Sequence, residues 1–318
     1  MVNFLKQITL RNAIDCRGTG LHTGSKVTMT IGPGEVDSGI VFIRSDLSGS
    51  QAKIPASWRN VADSQLCTTL TNDEGVSVST VEHLMAALVG SGIDNAVIEI
   101  NGPEIPIMDG SAAPFVFLIE CAGIQEQSAL RRAIKIRKHV MVRENGSSAS
   151  LTPGNGFSIG FQIDFPSPAV AQQELRIDNI ERAFKTELSR ARTFGFEREV
   201  TEMRAAGMLR GGSLDNAIIV GGDGVLNVDG LRYRDEFVRH KILDSIGDLY
   251  LAGNPIIGHF QGERSGHRLN NRLLHKLLSD PDAWSYVTLG SAAHSGLRAG
   301  AASEDFIEVE PVSIAATG

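Results

Sequence analysis

What the 318-residue chain lacks already narrows its function. Its three cysteines, Cys16, Cys67 and Cys121, are odd in number and widely spaced, which gives no disulfide framework and points to a reducing compartment. There is no Cys-x-x-Cys pair, no Gly-x-Ser-x-Gly elbow and no Walker sequence, so thiolate zinc sites, elbow-type serine hydrolases and P-loop enzymes lose support. Basic residues are not in excess. Against 37 aspartates and glutamates stand 30 lysines and arginines, a formal net charge of −7, which argues against a protein that coats nucleic acid. Any phosphate must then be met by a few local cations. No apolar run comes near the ~18 residues of a membrane span. The opening MVNFLKQITL lacks the basic start and apolar block of a signal peptide. The expectation is a cytoplasmic protein with no stable membrane insertion. At 42% hydrophobic and 21% charged, the chain can bury a core across about two domains of 100–200 residues.

The first half reads as short strands at 26–31, 39–46 and 96–100, with helices at 79–92 and around 112–122. The polar stretch 123–132 is the best domain boundary. Strand-like runs then resume, followed by helices at 235–253 and within 267–280. Strands and helices do not alternate strictly, which favours an α+β fold over a doubly wound parallel sheet. The predicted organisation is an N-terminal α+β domain over 1–126, a C-terminal α+β domain over 127–303 and a tail over 304–318. Each half also holds a His-bearing helix, then Gly, then a β-like run, a faint sign of duplication.

Four segments could carry chemistry. On the helix 235–253, His240, Asp244 and Asp248 recur at steps of four, so an imidazole and a carboxylate one turn apart could reach one ion. The plain alternative is a solvated polar stripe. In Ser79-Thr80-Val81-Glu82-His83, the pair Ser79 and Glu82 has capping-box spacing, while Glu82 and His83 could serve as base and ligand. His267, after Ser265-Gly266, could be a general acid or an ordinary structural histidine. Arg190–Phe196 mixes polar and apolar residues that could meet a polar head and an apolar chain. His22, His139, His259, His275 and His294 show no partner pattern and default to surface or packing roles. Gly221–Gly224 reads as a hairpin connection.

In their order, TVEHLMAAL, ARTFGF, FVRHKILDSIGDLYLAG and SGHRLNNRLL resemble the UDP-3-O-acyl-N-acetylglucosamine deacetylases, zinc amidases of lipid A synthesis in Gram-negative bacteria. GIDNAVIEINGPEIPIMDGSAAPFV and DGLRYRDEFVRHK also match. The resemblance implies two sheet-on-helix layers packed helix to helix, each domain with an insert, the second spanning about 194–229 and forming an acyl passage. It implies His83, His240 and Asp244 as zinc ligands, a set that would also suit iron(II). It further implies Glu82 as general base and His267 as general acid. Asp248 would orient His267, and Thr193 would donate to the oxyanion. Lys241 would meet the phosphates, and Phe194, Leu214, Ala217 and Ile219 would line the passage. Cys67 reads as a small packed side chain. The expected partner is a small UDP-linked acylated amino sugar, and the expected state is a monomer. A zinc amidohydrolase for another nucleotide-linked amino sugar, and a binding module with a vestigial site, are the competing readings.

Overall fold

The computed structural model describes residues 5–49, 52–222, 224–290 and 307–308. The first part of the chain runs through β1 (Lys6–Leu10), β2 (Ile14–Thr19), β3 (Lys26–Pro33), β4 (Ile40–Arg44) and β5 (Lys53–Pro55). Next come β6 (Val61–Asp63), β7 (Thr69–Thr71), β8 (Ser77–Val78), α1 (Glu82–Gly90), β9 (Ala96–Ile100) and α2 (Ala113–Ala122). β3 alternates: Val27, Met29 and Ile31 point inward while Lys26 faces solvent, as a half-buried strand requires. The second part comprises β10 (Ile124–Leu130), β11 (Arg132–Ile136), β12 (Val140–Glu144), β13 (Ser147–Thr152), β14 (Phe157–Asp164) and β15 (Gln172–Ile177). It continues with α3 (Ile180–Ala183), β16 (Phe194–Phe196), α4 (Glu197–Ala205), β17 (Ile218–Gly221) and β18 (Gly224–Val225). α5 (Glu236–Tyr250), β19 (Ile256–Glu263), α6 (His267–Leu278), β20 (Trp284–Thr288) and β21 (Ile307–Glu308) complete it.

The faint duplication in the sequence is explicit in the topology. One sheet runs β2-β3-β9-β4-β5, and the other contains the path β12-β13-β19-β14-β15. In both, the strand after the His-bearing helix is central, antiparallel to one neighbour (β3 or β13) and parallel to the other (β4 or β14). A parallel pair cannot be closed by a hairpin and needs a crossover. α1 provides it in the first sheet and α5 in the second. The fold is the expected α+β sandwich, with α1 packed on α5 between the sheets. α6 places Leu269, Leu273, Leu274 and Leu277 on one buried face, a stripe at steps of three and four.

Gly247 sets how closely the central helices approach. A methyl group there would collide with the Glu82 carbonyl oxygen and stand 2.8 Å from its carbon and 3.1 Å from the Ala86 amide nitrogen. Only a hydrogen side chain lets the two backbones touch.

Within the polar stretch 123–132, residues 124–130 form β10, which pairs antiparallel with β1, and its exposed residues explain the polarity. α1 starts at Glu82, with Val81 as a cap that makes no side-chain bond, so the Ser79–Glu82 capping box does not form. Thr80 sits at φ 59°, a rare conformation for a β-branched residue, and its hydroxyl donates to the buried Glu104 carboxylate. The predicted hairpin is present, with Gly221 opposite Gly224 across β17 and β18. The tail 304–318 lies outside the described residues except for 307–308, and so does His294.

Candidate metal centre and its cavity

The helix crossing brings His83, at the start of α1, against the middle of α5. His83 Nε2 lies 3.4 Å from Asp244 Oδ1, and His240 Nε2 lies 3.2 Å from the same oxygen. The two imidazoles meet edge to face with centroids 4.9 Å apart. All three residues are buried. His240 Nδ1 donates to the Ala191 carbonyl at 3.0 Å, which leaves the Nε2 lone pair aimed inward. Asp244 Oδ1 is buried and accepts no hydrogen bond, whereas Oδ2 takes the Lys241 ammonium at 2.7 Å. Electron-rich atoms converging on one buried, unsatisfied oxygen call for a cation between them. Burial pushes the His240 pKa down to about 3, so the ring stays neutral and ready to ligate. Burial would raise the Asp244 carboxyl, but the Lys241 ammonium on its Oδ2 overcomes it, and the group is held well below its usual range. Among the described residues this is the one grouping of histidine, cysteine and acidic side chains with the geometry to hold a metal ion. The polar positions of α5 are therefore not a solvated stripe: His240, Asp244 and Asp248 are at most 3% exposed.

Beside the triad lie two further carboxylates. Glu82 Oε2 accepts the Thr68 amide N–H at 3.1 Å. Desolvation raises its pKa, partly offset by His267 and His83. Asp248 Oδ2 accepts from His267 Nδ1 at 2.9 Å and from Asn270 Nδ2 at 2.9 Å, while Oδ1 accepts the Thr68 hydroxyl at 2.6 Å. Burial opposes a charged imidazole, yet the Asp248 carboxylate more than compensates and raises the His267 pKa to about 9. The arrangement thus offers a buried carboxylate and a protonated imidazole side by side.

The imidazole opens onto a cavity of about 570 Å³ lined by His267, Lys241, Thr193 and Phe194, with Val200 and Met203 further along. That volume is within the range of small-molecule sites. Of the predicted passage residues, Phe194 is in the wall. Ala217 is buried, Ile219 is half-buried in the sheet β16-β17-β18 and Leu214 is exposed. Lys241 lines the cavity with its ammonium already on Asp244.

Thr193 is held at the cavity wall from both sides: its amide donates to Gly110 O and its carbonyl accepts from Ile218, both at 2.8 Å. The preceding residue anchors the segment. The Glu236 carboxylate, fully buried, takes Arg192 N and Nε at 3.0 and 2.9 Å, Arg192 Nη2 at 3.2 Å and the Arg232 amide. Glu236→Gln removes the charge that compensates a buried guanidinium, so unfolding in denaturant is expected to show a loss of about 3–5 kcal/mol. An unchanged denaturation midpoint would rule this anchor out.

Sequence reasoning missed several residues. Asn270 stands one helical turn after His267, a spacing that could have marked it. Gly247, an isolated glycine inside an apolar helix, carried a packing signal. Thr68 had no local signal at all. Glu104 had none either, and the turn at 21–24 that it holds contributes Leu21 and His22 to the cavity wall. His259 and His275 do take packing roles, on Ser158 and Trp58. Cys67 is half-buried, its Sγ 3.8 Å from the Thr69 hydroxyl, and burial followed by the Glu82 charge pushes its thiol up to about 12. It behaves as a packed side chain rather than a thiolate.

Known proteins resemble the chain over most of its length. Residues 7–279 match the family model of the UDP-3-O-acyl N-acetylglycosamine deacetylases, LpxC. The chain is 52% identical over 286 residues to the UDP-3-O-acyl-N-acetylglucosamine deacetylase of Teredinibacter turnerae, covering 89% of this chain and 94% of that protein. It is 50% identical over 289 residues to the enzyme of the same name from Shewanella sp. strain W3-18-1, covering 90% and 94%. No helix among the described residues is long and apolar enough to cross a membrane. On a match that spans most of the sequence and takes in all three converging ligands, the chain belongs to the UDP-3-O-acyl N-acetylglycosamine deacetylase family.

Proposed function

We propose that the protein hydrolyses the N-acetyl group of a UDP-3-O-[(3R)-3-hydroxyacyl]-N-acetylglucosamine to the free amine and acetate, the committed step of lipid A biosynthesis. The observation that carries the reading is the unsatisfied Asp244 Oδ1 facing two imidazole nitrogens beside a carboxylate and a cationic imidazole at the cavity. His83, His240 and Asp244 would hold zinc, with iron(II) as a second ion these ligands accept. When bound, the ion supplies Lewis acidity that activates water and an amide carbonyl at neutral pH.

The protein's own groups do the rest. Glu82, ionised, takes a proton from the attacking water through the oxygen that Thr68 leaves free. His267, fixed at Nδ1 by Asp248, presents Nε2 and gives a proton to the departing sugar amine. Its positive charge also favours the developing oxyanion, toward which the Thr193 hydroxyl donates. Phe194 gives the 3-O-acyl chain an apolar wall within the insert at 194–229, to which Leu214, Ala217 and Ile219 belong. The Lys241 ammonium both steadies Asp244 and supplies positive charge at the cavity for the nucleotide phosphates. The catalytic elements come from both α+β domains, 1–126 and 127–303, of a cytoplasmic monomer.

The test is removal and return of metal. Treatment with a chelator is expected to abolish deacetylation, and stoichiometric zinc to restore it, with the acylated UDP-sugar turned over far faster than its non-acylated counterpart. Full activity after exhaustive chelation would overturn the metal assignment, and equal rates on both sugars would overturn the acyl-chain assignment.

A further inference from the structure

We propose that Thr68 is a positioning residue for deacetylation, one that holds the proton-accepting and proton-donating arms of the site in register. The inference rests on the roles given above to Glu82 and His267. Thr68 is 2% exposed and does not line the cavity, so it acts through its neighbours rather than on substrate. Its amide N–H donates to Glu82 Oε2 at 3.1 Å, and its hydroxyl donates to Asp248 Oδ1 at 2.6 Å. Asp248 in turn accepts from His267 Nδ1. Glu82, Thr68, Asp248 and His267 therefore form one unbroken hydrogen-bonded chain.

Two features make Thr68 a spacer rather than an ordinary buried threonine. Both donors belong to one residue, so neither carboxylate can rotate without disturbing the other's partner. Thr68 also lies just before β7, and its own carbonyl accepts the Val81 amide immediately ahead of Glu82. The segment is thus tied to the start of α1 by backbone as well as by side chain. Each carboxylate keeps one oxygen on Thr68; the other oxygen of Glu82 is left for proton transfer, and that of Asp248 holds His267 and Asn270. In a buried site a carboxylate oxygen deprived of its donor is costly, and the side chain swings to find another. His267 would follow Asp248, lengthening the proton path to the amine, and small misplacements of this kind are expensive in rate.

The experiment compares T68V, T68S and T68A as metal-loaded full-length enzyme on the acylated UDP-sugar, with E82Q and H267Q in parallel. T68V matches threonine in volume but cannot donate. It is expected to lower kcat about 10–100-fold with KM within about twofold and metal content unchanged. T68A, which also lacks the hydroxyl, gives the same split and serves if the valine variant does not fold. T68S, which keeps the donor, returns kcat to within about threefold. The proposal is overturned if kcat of the hydroxyl-free variants stays within about threefold of the parent, if KM takes the loss, if metal leaves with the hydroxyl, or if serine does not rescue. Should E82Q and H267Q themselves keep full kcat, the roles of those groups fail and this inference falls with them. Loss in E82Q and H267Q with no loss in T68V sinks the inference alone.

Discussion

His267→Gln is expected to lower kcat by about 10²–10⁴-fold while metal content stays at the parent level. The imidazole is buried at the cavity, its Nδ1 committed to Asp248, and it touches none of the three converging ligand atoms through a hydrogen bond. Glutamine can keep a bond to Asp248 but cannot deliver a proton at neutral pH. Glu82→Gln should show a loss of the same order by removing the base. The pH profile separates the two. In its proposed role His267 acts in its protonated form, and its pKa is raised to about 9, so activity is expected below that value and is lost as pH rises through it. A cation held by the neighbouring triad repels the imidazolium and moves this limb downward. In its proposed role Glu82 acts ionised, and burial raises its pKa, so the acid limb is expected above the ordinary carboxyl value of 4.5. Asp248→Asn takes away the carboxylate that lifts His267 and should shift the basic limb to lower pH. A basic limb that survives unchanged in His267→Gln would mean that another group is the acid. Loss of metal from that variant would make His267 a ligand instead.

Gly247→Ala is expected to weaken metal binding at least tenfold and to lower the melting temperature, although alanine in a helix ordinarily gains about 1 kcal/mol over glycine. The sign reverses because of what the methyl meets. All three nearest atoms are backbone atoms of Glu82 and Ala86 on α1. No flexible side chain can yield, so the helices must separate, and overpacking of this kind costs about 1–3 kcal/mol. Separation moves His83 away from His240 and Asp244 and divides the triad between two retreating elements. Metal titration with thermal melting of the apo and loaded protein measures both effects. Unchanged affinity and midpoint would show that the crossing has slack and that Gly247 is there for another reason.

Much of this site was written in local periodicity. His240, Asp244 and Asp248 follow one another at steps of four on a helix recognisable from its apolar face, and α6 declares itself by its leucines. A helix fixes the relative directions of its own side chains, so such spacings carry geometry without any knowledge of the rest of the chain. The same logic misled at Ser79–Glu82. Capping-box spacing is a local offer, and a stronger one from Thr68, distant in sequence but adjacent in space, claimed the Glu82 carboxylate. Residues 124–130 show how little composition says about such a segment: a strand with one exposed face at a sheet edge can be as polar as a linker.

The helices at 235–253 and 267–280, the α+β class and the spacing of His240, Asp244 and Asp248 at steps of four follow from the amino-acid order alone, since each depends on neighbours within a turn or two, whereas a joint metal-binding role for His83, His240 and Asp244 is implied only by the family resemblance. That His83 meets His240 and Asp244, that one threonine bridges two carboxylates, and that a glycine permits the crossing were decided only by the packing of α1 on α5. Contacts between segments far apart in the chain are selected by burial and close packing of whole surfaces, which leaves no repeating mark in the sequence of either partner.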